Sequence, residues 1–369
     1  MPRVSVIIPT YNHRDYVGEA ISSVLDQSFD DFEIIVHDDC SSDGTADVVK
    51  SFSDPRIKVK LYPENMGASW VVNSAITEAS GDYIALLNSD DFFLPGKLER
   101  QVRILDEQPE IAAVFGMVKF VDEESRRIPD EDNPFRGLFT NVNQSRHSWL
   151  NRFFMIGNAL CHPTIMIRRT CYEELGSYDV RLAQLPDFDM WIRVCSHYDI
   201  HVMPEEVIAY RVLKGDGNAS SAGRPEVKVR HDWELFHVLK QYLALPDSEL
   251  QKVFEKEFRD LDPNGQQPPR TLLARLALRK GPEAWAKSSY LAFGLDVIHD
   301  NIGSGDHSIS ASEYMALTGA NDVFNLRQDD VQGKLLRAQD ALEMMRASTS
   351  WRVTVPLRAL SRAVKKIVK

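Results

Sequence analysis

The chain has 369 residues, enough for one large domain with an appendage or for two to three smaller ones, and its 43% hydrophobic and 26% charged content is that of a globular protein with a sizeable core. A formal net charge of −11 argues against a general nucleic-acid binder. The four cysteines (Cys40, Cys161, Cys171, Cys195) lack the paired spacing of a zinc site or disulfide framework, and no apolar run reaches membrane-spanning length, so the expected setting is cytoplasmic with reduced thiols.

The β-branched run 4–9, closed by Pro9, reads as a first buried strand. Val17, Ala20, Ile21, Val24 and Leu25 then recur with helical spacing. Residues 32–37 form a second strand that runs into Asp38 and Asp39, and the turn chemistry of 41–45 opens another helix. A third strand over 57–61 is followed by the loop 64–67. Val71, Val72, Ala75 and Ile76 then mark one helix face, with Gly81 in the position of a C-terminal glycine stop. The apolar run 83–87 ends in Asn88-Ser89-Asp90-Asp91.

This is β-α-β-α-β-α-β with short connections, the order of a doubly wound α/β unit. Parallel strands end on one edge of their sheet, so Asp38, Asp39, Asp90 and Asp91 are expected to converge on one crevice. Adjacent carboxylates repel and are costly to half-bury without a cation, and a hard divalent ion is the natural compensation. Taken singly, each pair reads equally well as a solvated acidic turn. Neither a Gly-x-Gly-x-x-Gly fingerprint nor a Walker-type loop follows the first strand, so a bound phosphate would need a metal rather than a glycine cradle.

Beyond Pro95 the pattern predicts a helix over 97–108, a strand over 112–118, a short helix over 148–154 and a strand over 160–169 with His162 at its entrance. A helix starts near Pro186 with Asp187 and Asp189 in its first turn, and 207–212 reads as a last strand. Singly, Asp187 and Asp189 read as helix capping and His162 as a satisfied, half-buried histidine. From 227 onward strand signals vanish. Helical segments continue to 298 around a break at 262–269, and a narrow apolar stripe over 331–345 suits a partner helix, making a homo-oligomeric contact an expectation.

The ordered set Pro9-Thr10-Tyr11-Asn12, Asp38-Asp39, Glu64-Asn65-Met66-Gly67, Asn88-Ser89-Asp90-Asp91 and Pro186-Asp187-Phe188-Asp189-Met190-Trp191 resembles the family 2 glycosyltransferases of bacterial surface-polysaccharide type, which have the GT-A fold. The resemblance covers roughly residues 1–225 and implies a mostly parallel, mixed α/β sheet for a nucleotide-sugar domain there. A helical region over 226–330 and an amphipathic helix with a basic tail over 331–369 would follow. It implies that Asp39, with Asp38 beside it, binds the nucleoside base, in a pocket that includes Pro9, Thr10, Tyr11, Asn65 and Gly67. Asp90 and Asp91, with Asn88 where the family often has Asp, would bind ribose and a Mn²⁺- or Mg²⁺-bound diphosphate. Asp187 falls on the catalytic base, preceded here by Pro186 rather than the common Glu, with Asp189 and His162 in support.

The reaction implied is inverting sugar transfer from a nucleotide sugar, with UDP the commonest carrier, to a glycan or lipid-linked acceptor. The rival reading is a non-catalytic GT-A scaffold in a polysaccharide-assembly complex. Residues 351–369 carry six basic and no acidic side chains interleaved with Trp351, Val355, Leu357 and Ile367, a pattern suited to the inner face of the plasma membrane. A solvated basic tail or a docking arm is the alternative there.

Overall fold

The structure, a computed structural model, describes residues 1–129, 131–133, 135–214, 224–281, 284, 286–305 and 308–324. Its strands are β1 (Val4–Thr10), β2 (Phe32–Asp38), β3 (Ile57–Leu61), β4 (Tyr83–Leu86), β5 (Phe92–Phe93), β6 (Ile111–Val121), β7 (Met166–Arg168) and β8 (Asp199–Arg211). The helices threaded between the first of them are α1 (Val17–Leu25), α2 (Thr45–Lys50), α3 (Ala68–Glu78) and α4 (Lys97–Glu107). Then come α5 (Arg146–Met155), α6 (Arg169–Leu175) and α7 (Pro186–His197).

All eight strands join one sheet in the order β3-β2-β1-β4-β7-β6-β8-β5. β1 to β4 run parallel, and the short β7 is antiparallel to both β4 and β6. β8 returns parallel to β6 and carries β5 antiparallel on its far side. The sheet is therefore mixed and mostly parallel. β1 and β2 are buried on both faces, as the β-branched runs required. Val4, Val6 and Ile8 gather with Ala20, Ile21 and Val24 of α1 and Leu98 and Val102 of α4 in one core cluster, while α3 packs on β1 and β2 through Val71, Val72 and Ala75.

Two expectations fail in this part of the chain. α3 ends at Glu78 with Ala79 as its extended C-cap, so Gly81 is not the helix stop. A Cβ at Gly81 would lie 2.6 Å from the Ser5 backbone nitrogen, so what the position requires is close approach of two backbones. The strand expected over 160–169 shrinks to β7, because Pro163 turns the chain through one 3-10 turn at His162–Thr164 and His162 sits on that turn.

After β8 the described chain is helical: α8 (Pro225–Leu239) continues into a 3-10 turn at Lys240–Ala244, then α9 (Asp247–Val253), α10 (Glu255–Leu261), α11 (Pro269–Lys280) and α12 (Lys287–Gly303). Phe254 separates α9 from α10. Residues Met1–Ser308 form one compact unit, in which Tyr242 and Tyr290 donate to the Leu150 and Phe154 carbonyls of α5 at 2.7 and 2.5 Å. The second unit, Ile309–Lys369, is described only to residue 324 and contributes α13 (Ala311–Ala320). The stripe over 331–345 and the basic tail over 351–369 lie outside the described residues. Among the described residues no helix is long and apolar enough to cross a membrane.

Candidate active site

Thr10 and Asp38 end β1 and β2 as register partners, and the loops beyond them are stitched together. The chain turns through Asn12 at φ 53°, whose N–H donates to Ser41 Oγ at 2.8 Å and whose Oδ1 accepts from the Ser42 N–H at 2.9 Å. Asp39 is held twice over: its Oδ1 accepts the Met66 N–H at 2.6 Å and its Oδ2 the Gly67 N–H at 3.0 Å. Asn65 Nδ2 donates to the Asp39 carbonyl at 3.3 Å. Asp38 differs. One of its oxygens accepts the Ser41 N–H at 3.0 Å, while Oδ1 and the neighbouring Thr10 Oγ1 are buried without a hydrogen-bond partner. Buried polar atoms are rarely left so in a finished structure, and a polar ligand or water is the usual complement. Tyr11 stands at the rim, 48% exposed.

The turn after β4 comes to the same edge. His13, two residues beyond Tyr11, shares a 2.8 Å hydrogen bond between Nδ1 and Ser89 Oγ, tying the first-strand loop to the acidic turn. Asn88 Nδ2 donates to Asp91 Oδ2 at 3.1 Å, so the amide that departs from the usual acidic pattern orients its neighbour. Asp91 Oδ1 accepts the Arg211 N–H at 2.8 Å, and Arg211 Nε donates to the Asp90 carbonyl at 2.8 Å. Both carboxyls are buried, and burial holds both above the ordinary carboxylate range. The charge of Asp90 pushes Asp91 up further, whereas His13 and Arg211 pull Asp90 back.

The third carboxylate belongs to α7. Asp187 Oδ1 accepts the Phe188 N–H at 2.7 Å and Oδ2 accepts from Asn158 Nδ2 at 2.8 Å, while Asn158 Oδ1 takes the Leu160 N–H at 3.1 Å. Burial outweighs these bonds and raises the Asp187 carboxyl to about 6. Asp189, two residues on in the same first turn, has both oxygens engaged: Oδ2 by Arg193 Nε at 2.8 Å and Oδ1 by Gln241 Nε2 at 2.7 Å. His162 shares a 3.0 Å bond between Nε2 and the Tyr178 hydroxyl, and burial lowers it to about 4, so it is neutral at physiological pH. The buried Cys161 thiol beside it is raised, first by burial and then by the charges of Asp91 and Asp187.

α3 joins the two halves. Its entrance carries the amides that grip Asp39. Further along, Ser69 Oγ donates to the Leu182 carbonyl at 3.2 Å and Asn73 Nδ2 to the Tyr178 carbonyl at 2.7 Å, in the loop that leads to Asp187.

Sequence reading missed three side chains. Arg211 is 1% exposed, reaches the Asp122 and Glu123 carbonyls at 3.0 and 2.9 Å and Glu19 Oε2 at 2.5 Å, and lies over the Tyr16 ring. A lone arginine closing an apolar strand was its only signal. Asn158 had none beyond the Gly157 turn before it. His13 was visible only as part of a loop.

The family profile for Glycosyl transferase family 2 matches residues 5–176. An uncharacterised glycosyltransferase of Methanocaldococcus jannaschii is 30% identical over 224 residues, which span 59% of this chain and 74% of that protein. This chain belongs to glycosyl transferase family 2. The glycosyltransferase also matches a Bacillus subtilis protein provisionally named a teichuronic acid biosynthesis glycosyltransferase, with 46% identity over 109 residues, 29% of this chain and 43% of that one. Among solved structures, the S. aureus TarS fragment 1–349, crystallised with UDP-GlcNAc, superposes with a TM-score of 0.58 at 20% identity, covering 90% of this chain and 92% of the fragment. The glycosyltransferase thus has the GT-A architecture, with helices following the sheet domain.

Proposed function

We propose that this glycosyltransferase moves a sugar, with inversion, from a uridine diphosphate donor to a hydroxyl of a surface polysaccharide or lipid-linked acceptor, with a divalent cation at the donor. The observation that carries the reading is Asp187: a half-buried carboxyl in the first turn of α7, raised to about 6 by burial although Phe188 and Asn158 both donate to it. A base poised near neutrality suits removal of a hydroxyl proton. The acceptor oxygen bonds to the anomeric carbon as the bond from that carbon to the diphosphate oxygen breaks. The electron pair leaves with the diphosphate, and the acceptor proton passes to a carboxylate oxygen of Asp187. Asp189 is poorly suited to that role because it is 2% exposed and its carboxylate is held in an ion pair with Arg193.

The residues present fit Mg²⁺ or Mn²⁺. Asp90 and Asp91 supply oxygen donors whose mutual repulsion a cation would relieve. Among the described residues no three His, Cys, Asp or Glu side chains group closely enough to hold an ion alone, so diphosphate oxygens would complete its shell. When bound, the cation would neutralise negative charge developing on the leaving diphosphate. Thr10, Asp38, Asp39, Asn65 and Gly67 would line the nucleoside end, with Pro9 and Tyr11 at its wall and rim, and the unpartnered Asp38 Oδ1 and Thr10 Oγ1 support that placement. His162, neutral and bonded to Tyr178, would shape the acceptor side. The UDP-GlcNAc bound by TarS supports a uridine nucleotide, and the teichuronic acid name of one relative supports a polysaccharide acceptor. The basic 351–369 segment supports contact with the inner face of the membrane, and the apolar stripe over 331–345 supports a homo-oligomeric contact.

Calorimetric titration with UDP, with and without Mn²⁺, tests this reading. Binding should depend on metal, and Asp90→Ala should weaken it by at least about tenfold, the loss of one charged ligand contact. Affinity indifferent to both metal and Asp90 removes the cation site. Absence of nucleotide binding altogether would return the chain to the scaffold reading.

A further inference from the structure

Glu234 lies within α8, outside every motif that carries the family resemblance, and is 1% exposed. Its Oε1 accepts the Ala183 N–H at 2.8 Å, and its Oε2 accepts those of Gln184 and Leu185 at 2.7 and 2.9 Å. Three consecutive amides therefore converge on one buried carboxylate immediately before Pro186 and Asp187. Leu185 is the N-cap residue of α7, so these amides lie at the approach to that helix and are served from another one. Seven residues after Glu234, Gln241 Nε2 donates to Asp189 Oδ1 at 2.7 Å. α8 and the turn that follows it thus hold the chain on both sides of Asp187.

We propose that Glu234 is a positioning residue for catalysis: through the 183–185 amides it sets the first turn of α7 so that Asp187 faces the acceptor hydroxyl, with Gln241 as the second point of support. The proposal rests on Asp187 being the base. It also makes the first helix beyond the sheet domain part of the catalytic apparatus, since the carboxylate that fixes the turn comes from there. A buried carboxylate is costly unless its oxygens are satisfied, and here the satisfaction comes from the backbone next to the base.

Glu234→Gln keeps the volume and replaces one acceptor oxygen with a donor. It should lower kcat by about tenfold or more while leaving the donor KM within about twofold, the signature of a transition-state effect. In an Asp187→Asn background the same change should alter residual turnover by less than about twofold, because residues acting through one group are not additive. A merely structural Glu234 would multiply its loss onto the double variant, and that result overturns the proposal. Full turnover in Glu234→Gln while Asp187→Asn is inactive overturns it too, leaving the base reading intact. Undiminished turnover in Asp187→Asn overturns the base reading and the positioning role with it. If Glu234→Gln does not fold, Gln241→Leu enters the same double-variant comparison. In the wild-type enzyme, rapid hydrogen exchange at the 183–185 amides would overturn the proposal without any variant.

Discussion

The Asp90–Asp91 pair and Asp187 are the same kind of residue held above the ordinary carboxylate range in two different ways. In the pair, burial is compounded by a like charge on the next residue, which pushes Asp91 up further. Around Asp187 no second carboxylate contributes, and burial alone lifts it to about 6 against two hydrogen bonds that favour the anion. The first arrangement calls for a cation, the second for a proton. The transfer proposed above, with a diphosphate leaving group and a hydroxyl nucleophile, would need one of each.

Four substitutions would break or sharpen that contrast. The largest effect is expected from Asp187→Asn, which should lower kcat by about 10²–10⁴-fold, the usual contribution of a general base, while UDP affinity measured by titration stays unchanged. Unaltered turnover would mean that the raised carboxyl at α7 is only a helix cap. Arg211→Met should act on the other group. It leaves the Asp90, Asp122 and Glu123 carbonyls without their donor and removes a buried charge, and a loss of about 3 kcal/mol in denaturant unfolding is expected. Such a variant, assayed where it remains folded, should bind nucleotide less well yet keep the acid limb of its rate profile near the wild-type position.

That limb gives the third test. With Asp187 as the proposed base its ionised form would be the active one, so kcat/KM should fall tenfold per pH unit below about 6 and level off above it. Asn158→Leu removes a hydrogen bond that favours the anion, so the midpoint should move upward, by roughly one pH unit for a bond to a charged group. A downward move would show that Asn158 does not stabilise the carboxylate. Gly81→Ala is the smallest and serves as the control. Its Cβ would press on the Ser5 backbone, costing about 1–3 kcal/mol in stability, with neither the nucleotide affinity nor the pH midpoint altered.

The carboxylates themselves were legible before any coordinates. Strands buried on both faces announce themselves as apolar runs, and the residues just past their ends fall on one edge by topology alone, which is why Asp38, Asp39, Asp90 and Asp91 could be grouped across fifty residues. Proline at 186 and acids behind it marked the start of α7 correctly. The two-residue β5 was too short to carry a period, and the 3-10 turn at His162 was hidden in a run of strand-like composition.

What the sequence by itself determined is the set of local patterns: the alternation of strand and helix through the first hundred residues, the parallel edge, and the acidic turns placed on it. Those follow from side-chain period and turn chemistry, which act over a few residues. Only the tertiary structure decided how each carboxylate behaves. Asp39 is engaged by backbone amides from the loop before α3, Asp91 by the amide of Arg211, Asp187 by Asn158, and the turn before Asp187 by Glu234. Those partners lie between 27 and 120 residues away in sequence, 29 for Asn158 and 49 for Glu234 to Leu185. Desolvation and hydrogen bonding, the forces that set a carboxyl's affinity for a proton or a cation, depend on what is close in space, and a linear pattern does not record it.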